Sequence, residues 1–324
     1  MPELRWNPLL ATWTMVATNR QDRPHLPKDW CPFCPGEGKN VPLEFDVLCY
    51  PNDFPVLSQQ PEQVDANGFE VFENKEAYGK CEVILYSPKH DAKLYELSDA
   101  HLLALGNLWK SRYIDLKKDS NIKYIFEFEN RGEEVGVTMP HPHGQLYAYS
   151  WIPQKIKEEL TNTKNYFEKN NRSLFDDLNT AESAYKKRVV YENEQFIAYI
   201  PYFTDYPYGV FIVAKANLSS FEQFDENTMQ DFMQALKKIT AGFDKLFDRL
   251  FPYMMCIHQA PVNSPEWNDC EQYYRFHVEF YPPLRAKDKI KWYAGSEMGA
   301  GAAANPLDVD ECAQALKNKM NGND

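Results

Sequence analysis

No apolar run in the sequence approaches the roughly 20 residues that a membrane-spanning helix needs, so no membrane partner is expected. The opening stretch Met1-Pro2-Glu3-Leu4-Arg5 lacks the apolar core of a secretory signal, and a cytoplasmic location is the expectation. Positive charge is in deficit as well: 35 Lys and Arg stand against 47 Asp and Glu, a formal net charge of −12. Such an average field repels nucleic acid. A phosphorylated ligand would therefore need a local cluster of positive or neutral donors. Cysteine is sparse and odd in number, seven spread along the chain, which argues against a disulfide framework and leaves thiols available for metal. What the chain does have is core-forming material. With 44% hydrophobic and 15% aromatic residues among 324, it can build two ordinary domains or one large duplicated one.

The segment that organises the chemistry is His141-Pro142-His143-Gly144-Gln145, preceded by Phe128-Glu129-Asn130-Arg131-Gly132 and Gly136-Val137-Thr138. If Pro142 holds the segment extended, the two imidazoles share a face, because strand side chains alternate with a period of two. On an apolar strand such a pair is often only a hydrogen-bonded core feature. Here Asn130, Thr138 and Gln145 add neutral donors, while Gly132, Gly136 and Gly144 let backbone approach an anion closely. That company suits phosphorus chemistry. His143 would be the nucleophile, and Gln145 with backbone amides would stabilise charge developing on the phosphoryl oxygens.

Cys31-Pro32-Phe33-Cys34 is a Cys-x-x-Cys spacing that lets two thiolates share one tetrahedral zinc. It could equally be a redox pair or two buried thiols, although no thioredoxin-like βαβ pattern surrounds it. The two further ligands a zinc requires have candidates in His90, directly after the apolar run Val83-Ile84-Leu85-Tyr86, and in His141. Such a closed site would be structural, bracing the backbone next to His143.

Ser98 and Asp99 can cap a helix with apolar positions Leu102, Leu105, Trp109, Tyr113 and Leu116, and Lys123–Phe128 reads as a strand entering the Asn130 loop. Beyond a polar linker around Thr161 to Arg188 the plan begins again. Phe196–Ile200 and Tyr208–Val213 read as strands, and a helix follows with Met229, Phe232, Leu236, Ile239, Phe243, Leu246 and Leu250. Arg275–Tyr281 then stands where the His-Pro-His strand stood, with His277 against His141 and Glu279 against His143. The second copy has lost the nucleophile, so one active site per chain is expected. Glu159, His258, His277 and Glu279 are nevertheless a suitable set for a second metal, zinc or iron; the alternative is a buried His-Glu hydrogen-bonded pair. Pro306 and Asp308 open a last short helix through Leu316.

Asn130-x-Gly132 followed by His-Pro-His-Gly-Gln resembles galactose-1-phosphate uridylyltransferases, a branch of the histidine-triad superfamily, and the likeness runs from Leu4 to about Leu316. The resemblance implies an α+β fold of two fused histidine-triad-like halves, mainly antiparallel sheet flanked by helices, here divided at 1–170 and 171–324. It implies zinc on Cys31, Cys34, His90 and His141, and a second metal site from which this chain departs by having Glu279 in place of a histidine. The turn Asn52-Asp53-Phe54 would hold the nucleotide's base and ribose. Arg20 and Arg23 would reach the site of a neighbouring subunit in a homodimer; otherwise they are solvated loop charges. Lys291 would meet phosphate and Glu297 sugar hydroxyls, the bland reading being a Gly-rich loop with surface charges. After Glu297, the run Gly299–Pro306 departs from the family, which leaves the acceptor sugar open. The implied activity is ping-pong uridylyl transfer through His143, with UDP-glucose and galactose 1-phosphate as substrates. ADP-glucose phosphorylase, of the same superfamily, is the alternative, since no residue separates uracil from adenine. A non-enzymatic nucleotide sensor would keep the metal ligands but would not need His143 or Gln145, and both are present.

Overall fold

The computed structural model describes residues 2–18, 30–36, 40–65 and 68–322. Strands β1 (Glu3–Asn7) and β2 (Thr12–Val16) form a hairpin whose turn is held by Asn7, the Oδ1 of which accepts from the amides of Leu9 and Leu10. β3 (Leu48–Pro51) and β4 (Asn74–Glu76) follow, and β4 completes a small sheet with the hairpin. β5 (Gly79–Leu85), helix α1 (Asp99–Lys117), β6 (Tyr124–Arg131) and β7 (His143–Tyr149) make up the rest of the first half. Helices α2 (Gln154–Asn170) and α3 (Leu174–Tyr185) lead to β8 (Val189–Glu192), β9 (Phe196–Tyr199), β10 (Phe211–Ala214), α4 (Glu226–Leu246), β11 (Tyr253–His258) and β12 (His277–Tyr281). A two-stranded β13 (Leu284–Ala286) and β14 (Lys289–Ile290), a short α5 (Gly295–Ala300) and α6 (Val309–Asn321) close the chain.

The body is a nine-stranded antiparallel sheet in the order β3-β5-β7-β6-β11-β12-β10-β9-β8. Outward from the β6–β11 seam the strands run β6, β7, β5, β3 on one side and β11, β12, β10, β9 on the other, so the duplication is visible in the topology. Corresponding ladders pair Leu85 with His143 and Phe211 with Glu279. His143 and Glu279 thus sit at matching places in the two halves.

Alternation along β6 and β7 sorts side chains to two layers. Ile125, Leu146 and Ala148 join a core shared with α1, α4 and α6; Tyr124, Tyr147 and Tyr149 join one covered by α2 and α3. The three-four stripes of α1 and α4 are buried as the sequence pattern requires. Their N-caps are side-chain oxygens: Ser98 accepts from the His101 amide at 3.2 Å and Asp225 from that of Thr228 at 2.7 Å. The two helices cross closely because residue 106 is glycine, where a Cβ would lie 2.4 Å from the Met229 sulfur.

Three expectations are corrected. The polar stretch Thr161 to Arg188 is not a linker but helical for most of its length, because Ile156, Leu160 and Phe175 recur on a face that packs on the sheet while the other face carries the charges. Asn171, at φ 53°, ends α2 in the left-handed conformation that asparagine tolerates. Strand β10 starts at Phe211 rather than Tyr208, since the preceding turn is closed by the Gly209 amide donating to Tyr206 O. Leu250 lies beyond α4, 47% exposed.

Candidate active site

β7 begins at the second histidine of His-Pro-His. The Tyr86 amide donates to Pro142 O at 3.1 Å, continuing the β5–β7 ladder past Leu85 and His143. Pro142 has no amide to offer but its carbonyl still accepts. His143 Nδ1 lies 2.7 Å from His141 O. A carbonyl only accepts, so Nδ1 carries the proton and Nε2 keeps the lone pair. His141 is arranged the other way round: its Nε2 donates to Ser87 O at 2.8 Å, leaving Nδ1 as the donor atom, 3.5 Å from Cys34 Sγ. The backbone carbonyls of Ser87 and His141 therefore set both tautomers.

His143 borders two cavities. A small one of about 200 Å³ is enclosed by Asn130, Gly136, Thr138 and Gln145 around the imidazole. Gly136, at φ 78°, makes the tight turn that closes it. The buried Thr138 Oγ1 has no hydrogen-bond partner, which fits a site that waits for a ligand oxygen. A larger cleft of about 700 Å³ shares His143, Asn130 and Val137 and extends past His90, Glu129 and Arg131. The arrangement places an unprotonated ring nitrogen beside neutral donors at the mouth of a ligand-sized cleft, which is what in-line attack on phosphorus requires.

Of the predicted site residues, His143, Gln145, Asn130, Gly136 and Thr138 come together. Asn52, Asp53 and Phe54 line neither cavity: Asn52 Oδ1 accepts from the Phe54 amide at 2.9 Å, and the Asp53 carboxylate accepts from Tyr50 Oη at 3.0 and 3.1 Å. Tyr50 packs edge-on against Phe33, and Phe33 against the His143 ring, so two aromatic rings link this turn to His143. Lys291 is buried elsewhere, its Nζ donating to Asp205 O at 2.8 Å and lying 4.4 Å from the Tyr293 ring centroid. Glu297 accepts from the Ala294 amide at the start of α5. Arg20 and Arg23 lie outside the described residues.

The sulfur and nitrogen donors of Cys31, Cys34, His90 and His141 lie within 4.8 Å of one another. Cys34 Sγ is 3.3 Å from His90 Nδ1 and 3.5 Å from His141 Nδ1. A zinc tetrahedron with Zn–S near 2.3 Å and Zn–N near 2.0 Å has S···N edges of roughly 3.5 Å. The donor set fits that ion.

On the second half, Glu159, His258, His277 and Glu279 also bring donor atoms within 4.8 Å. Glu159 arrives from α2, the helix that the sequence pattern missed. Its Oε2 lies 3.0 Å from His258 Nδ1 and accepts from Tyr274 Oη at 2.9 Å, while its buried Oε1 has no partner. His277 Nδ1 is 2.9 Å from Arg275 O, which turns Nε2 toward Glu279 Oε1 at 3.6 Å. Burial would raise both carboxyls, but His258 and His277 hold Glu159 and Glu279 below the ordinary range, with Lys155 adding to the effect on Glu279. Burial would lower His277, yet its hydrogen bond to Glu279 and the charge of Glu159 raise it. Two imidazoles and two carboxylates suit zinc or ferrous iron.

Three contributors escaped the sequence. Phe33, an unassigned position inside the Cys-x-x-Cys motif, packs on both His141 and His143. Tyr86 ends an apolar strand in the sequence pattern, and its hydroxyl fills the space beside Gly144 on the neighbouring strand β7. Lys155 gave no signal, because a lysine on a helix is ordinarily a solvated charge.

Residues 1–153 match the model of the galactose-1-phosphate uridyl transferase N-terminal domain, and residues 159–320 that of the C-terminal domain. A galactose-1-phosphate uridylyltransferase of Thermotoga maritima is 38% identical over 318 residues, 98% of each chain. A solved uridylyltransferase structure superposes with a TM-score of 0.89 at 28% identity, covering 99% of both chains. An ADP-glucose phosphorylase from Arabidopsis thaliana superposes with a TM-score of 0.73 at 23% identity over 98% of this chain and 99% of its own, a likeness of fold.

Proposed function

This chain belongs to the galactose-1-phosphate uridylyltransferase family, and from that premise we propose that it transfers uridylyl groups between hexose 1-phosphates through His143. The observation that carries the proposal is the His143 ring, whose Nδ1 is held by the His141 carbonyl so that Nε2 is the unprotonated nitrogen, beside the Asn130, Thr138 and Gln145 cavity. His143 Nε2 attacks the α-phosphorus of UDP-glucose. An N–P bond forms, the P–O bond to the leaving group breaks, and glucose 1-phosphate departs with the electron pair. A phosphate oxygen of galactose 1-phosphate then attacks the same phosphorus, the N–P bond breaks, and UDP-galactose leaves. Both leaving and attacking groups are already phosphate anions, so no general base is needed. The Nδ1 proton shared with His141 O stabilises the positive charge on the uridylylated ring, and Gln145 and Thr138 are assigned to the phosphoryl oxygens.

Zinc on Cys31, Cys34, His90 and His141 is assigned a structural role, fixing the backbone that aims His143, since four protein ligands leave no open position. The second cluster is assigned to zinc or iron. The halves divide at 1–170 and 171–324. Asn52, Asp53 and Phe54 are assigned to the base and ribose, Lys291 to phosphate and Glu297 to sugar hydroxyls. Because Lys291 and Glu297 do not line the His143 cavities of their own chain, the reading includes a cytoplasmic homodimer in which a second copy supplies them, together with Arg20 and Arg23.

The test is the intact mass of the protein after mixing with UDP-glucose or with ADP-glucose. A UMP adduct that disappears in His143→Ala is expected. An AMP adduct alone would transfer the activity to nucleotide-sugar phosphorolysis, and no adduct with either would refute covalent catalysis.

A further inference from the structure

The fourth residue of the second cluster is a carboxylate with a cation already on it. Lys155 reaches across from the first turn of α2, and its Nζ lies 2.5 Å from Glu279 Oε2. The same oxygen accepts from Tyr281 Oη, which Lys155 also contacts. Glu279 Oε2 is in addition 3.7 Å from His258 Nε2, so it faces into the cluster and toward the ammonium at once. Glu279 is buried, whereas Lys155 enters from the exposed side, at the wall of a cavity of about 660 Å³ that also includes His258, Cys256 and Tyr206.

A neutral imidazole in this place would leave the ligand set with one negative charge. Glu279 adds a second, and Lys155 removes it again. A buried carboxylate needs such a partner. A divalent ion bound to the buried Glu279 would lie close to the ammonium, and the two like charges repel. We infer that Lys155 is a built-in counter-ion for Glu279 that competes with metal at the second cluster, so that this site binds divalent cations weakly while the Cys31 site binds them firmly. The inference rests on the cluster being a metal site, as proposed above, and is independent of nucleotidyl transfer by His143.

Cobalt(II) distinguishes the two sites, because only the Cys31 and Cys34 site gives thiolate-to-cobalt charge-transfer absorption. Metal-stripped full-length protein is titrated with Co²⁺ against a chelator. Wild type is expected to take one equivalent with the thiolate band and a second only at much higher free metal. Lys155→Met should tighten the second equivalent by on the order of 10- to 100-fold without altering the first. Lys155→Arg, which keeps the charge, should behave as wild type, and Lys155→Gln repeats the test if the methionine variant folds poorly. A second equivalent held by Lys155→Met no more tightly than by wild type overturns the inference and leaves the metal reading standing. No second equivalent in any variant overturns both, and the UMP adduct reports separately on the transferase reading.

Discussion

The hydroxyl of Tyr86 occupies the space where a side chain at residue 144 would begin: a Cβ on Gly144 would lie 2.4 Å from it. The glycine between His143 and Gln145 is therefore needed on the face of β7 opposite His143, where the Tyr86 hydroxyl packs. Gly144→Ala should destabilise the protein by about 1–3 kcal/mol, the usual cost of overpacking. Combining it with Tyr86→Leu should recover part of that loss, read as a coupling energy in urea denaturation. Strict additivity of the two substitutions would show that the contact is not what constrains residue 144.

His141 stands between the proposed zinc and the carbonyl that orients His143. Losing the metal should slacken that carbonyl without touching substrate. Cys34→Ser is expected to lose about one equivalent of zinc by elemental analysis, lower the melting temperature, and reduce kcat about 10- to 100-fold with KM little changed. Full activity in protein shown to be free of zinc would separate the metal from catalysis.

Much of this was legible because it was local. The cap at Ser98, the three-four stripes of α1 and α4, and the His-x-His spacing each follow from a few neighbouring residues. Four donors scattered from Cys31 to His141 share no local pattern beyond Cys-x-x-Cys, and the resemblance supported their grouping. What escaped depended on crossing strands. Tyr86 meets Gly144 through a ladder register, and Lys155 meets Glu279 through a helix whose polar face hid its apolar one. Lys291 and Glu297 match a motif, yet their own chain does not carry them to His143.

Two buried carboxyls on β6 should make stability depend on pH. Burial lifts Glu127 to about 8 against the opposing hydrogen bond from Gln259, and lifts Glu129 to about 7 against Arg131 and Tyr253. The ordinary value for both is 4.5. The folded chain therefore keeps protons that the unfolded chain releases. Their contribution is fully present below the unfolded value and is lost as pH rises through 7 to 8, at up to about 1.4 kcal/mol per pH unit for each group. Urea denaturation at pH 5, 6.5 and 8 should show falling stability in wild type and a shallower fall in Glu127→Gln. Identical slopes would mean that Glu127 titrates normally.

The residue that follows Asn130 ties β6 to the helical layer. Arg131 forms a bidentate pair with Asp244 on α4, at 2.6 and 2.8 Å. Asp244 also accepts from the Phe251 amide and from Tyr95 Oη, both at 2.9 Å. Both side chains are largely out of water, 13% and 9% exposed, so removing one leaves an uncompensated charge in a poor solvent. Arg131→Met alone should cost about 3–5 kcal/mol. Arg131→Met with Asp244→Leu removes both charges and should be the more stable protein, despite carrying one substitution more. Thermal and urea denaturation of the three proteins would decide, and a double variant no more stable than the single one would mean that the pair's hydrogen bonds to Phe251 and Tyr95, rather than its charge balance, hold α4 against β6.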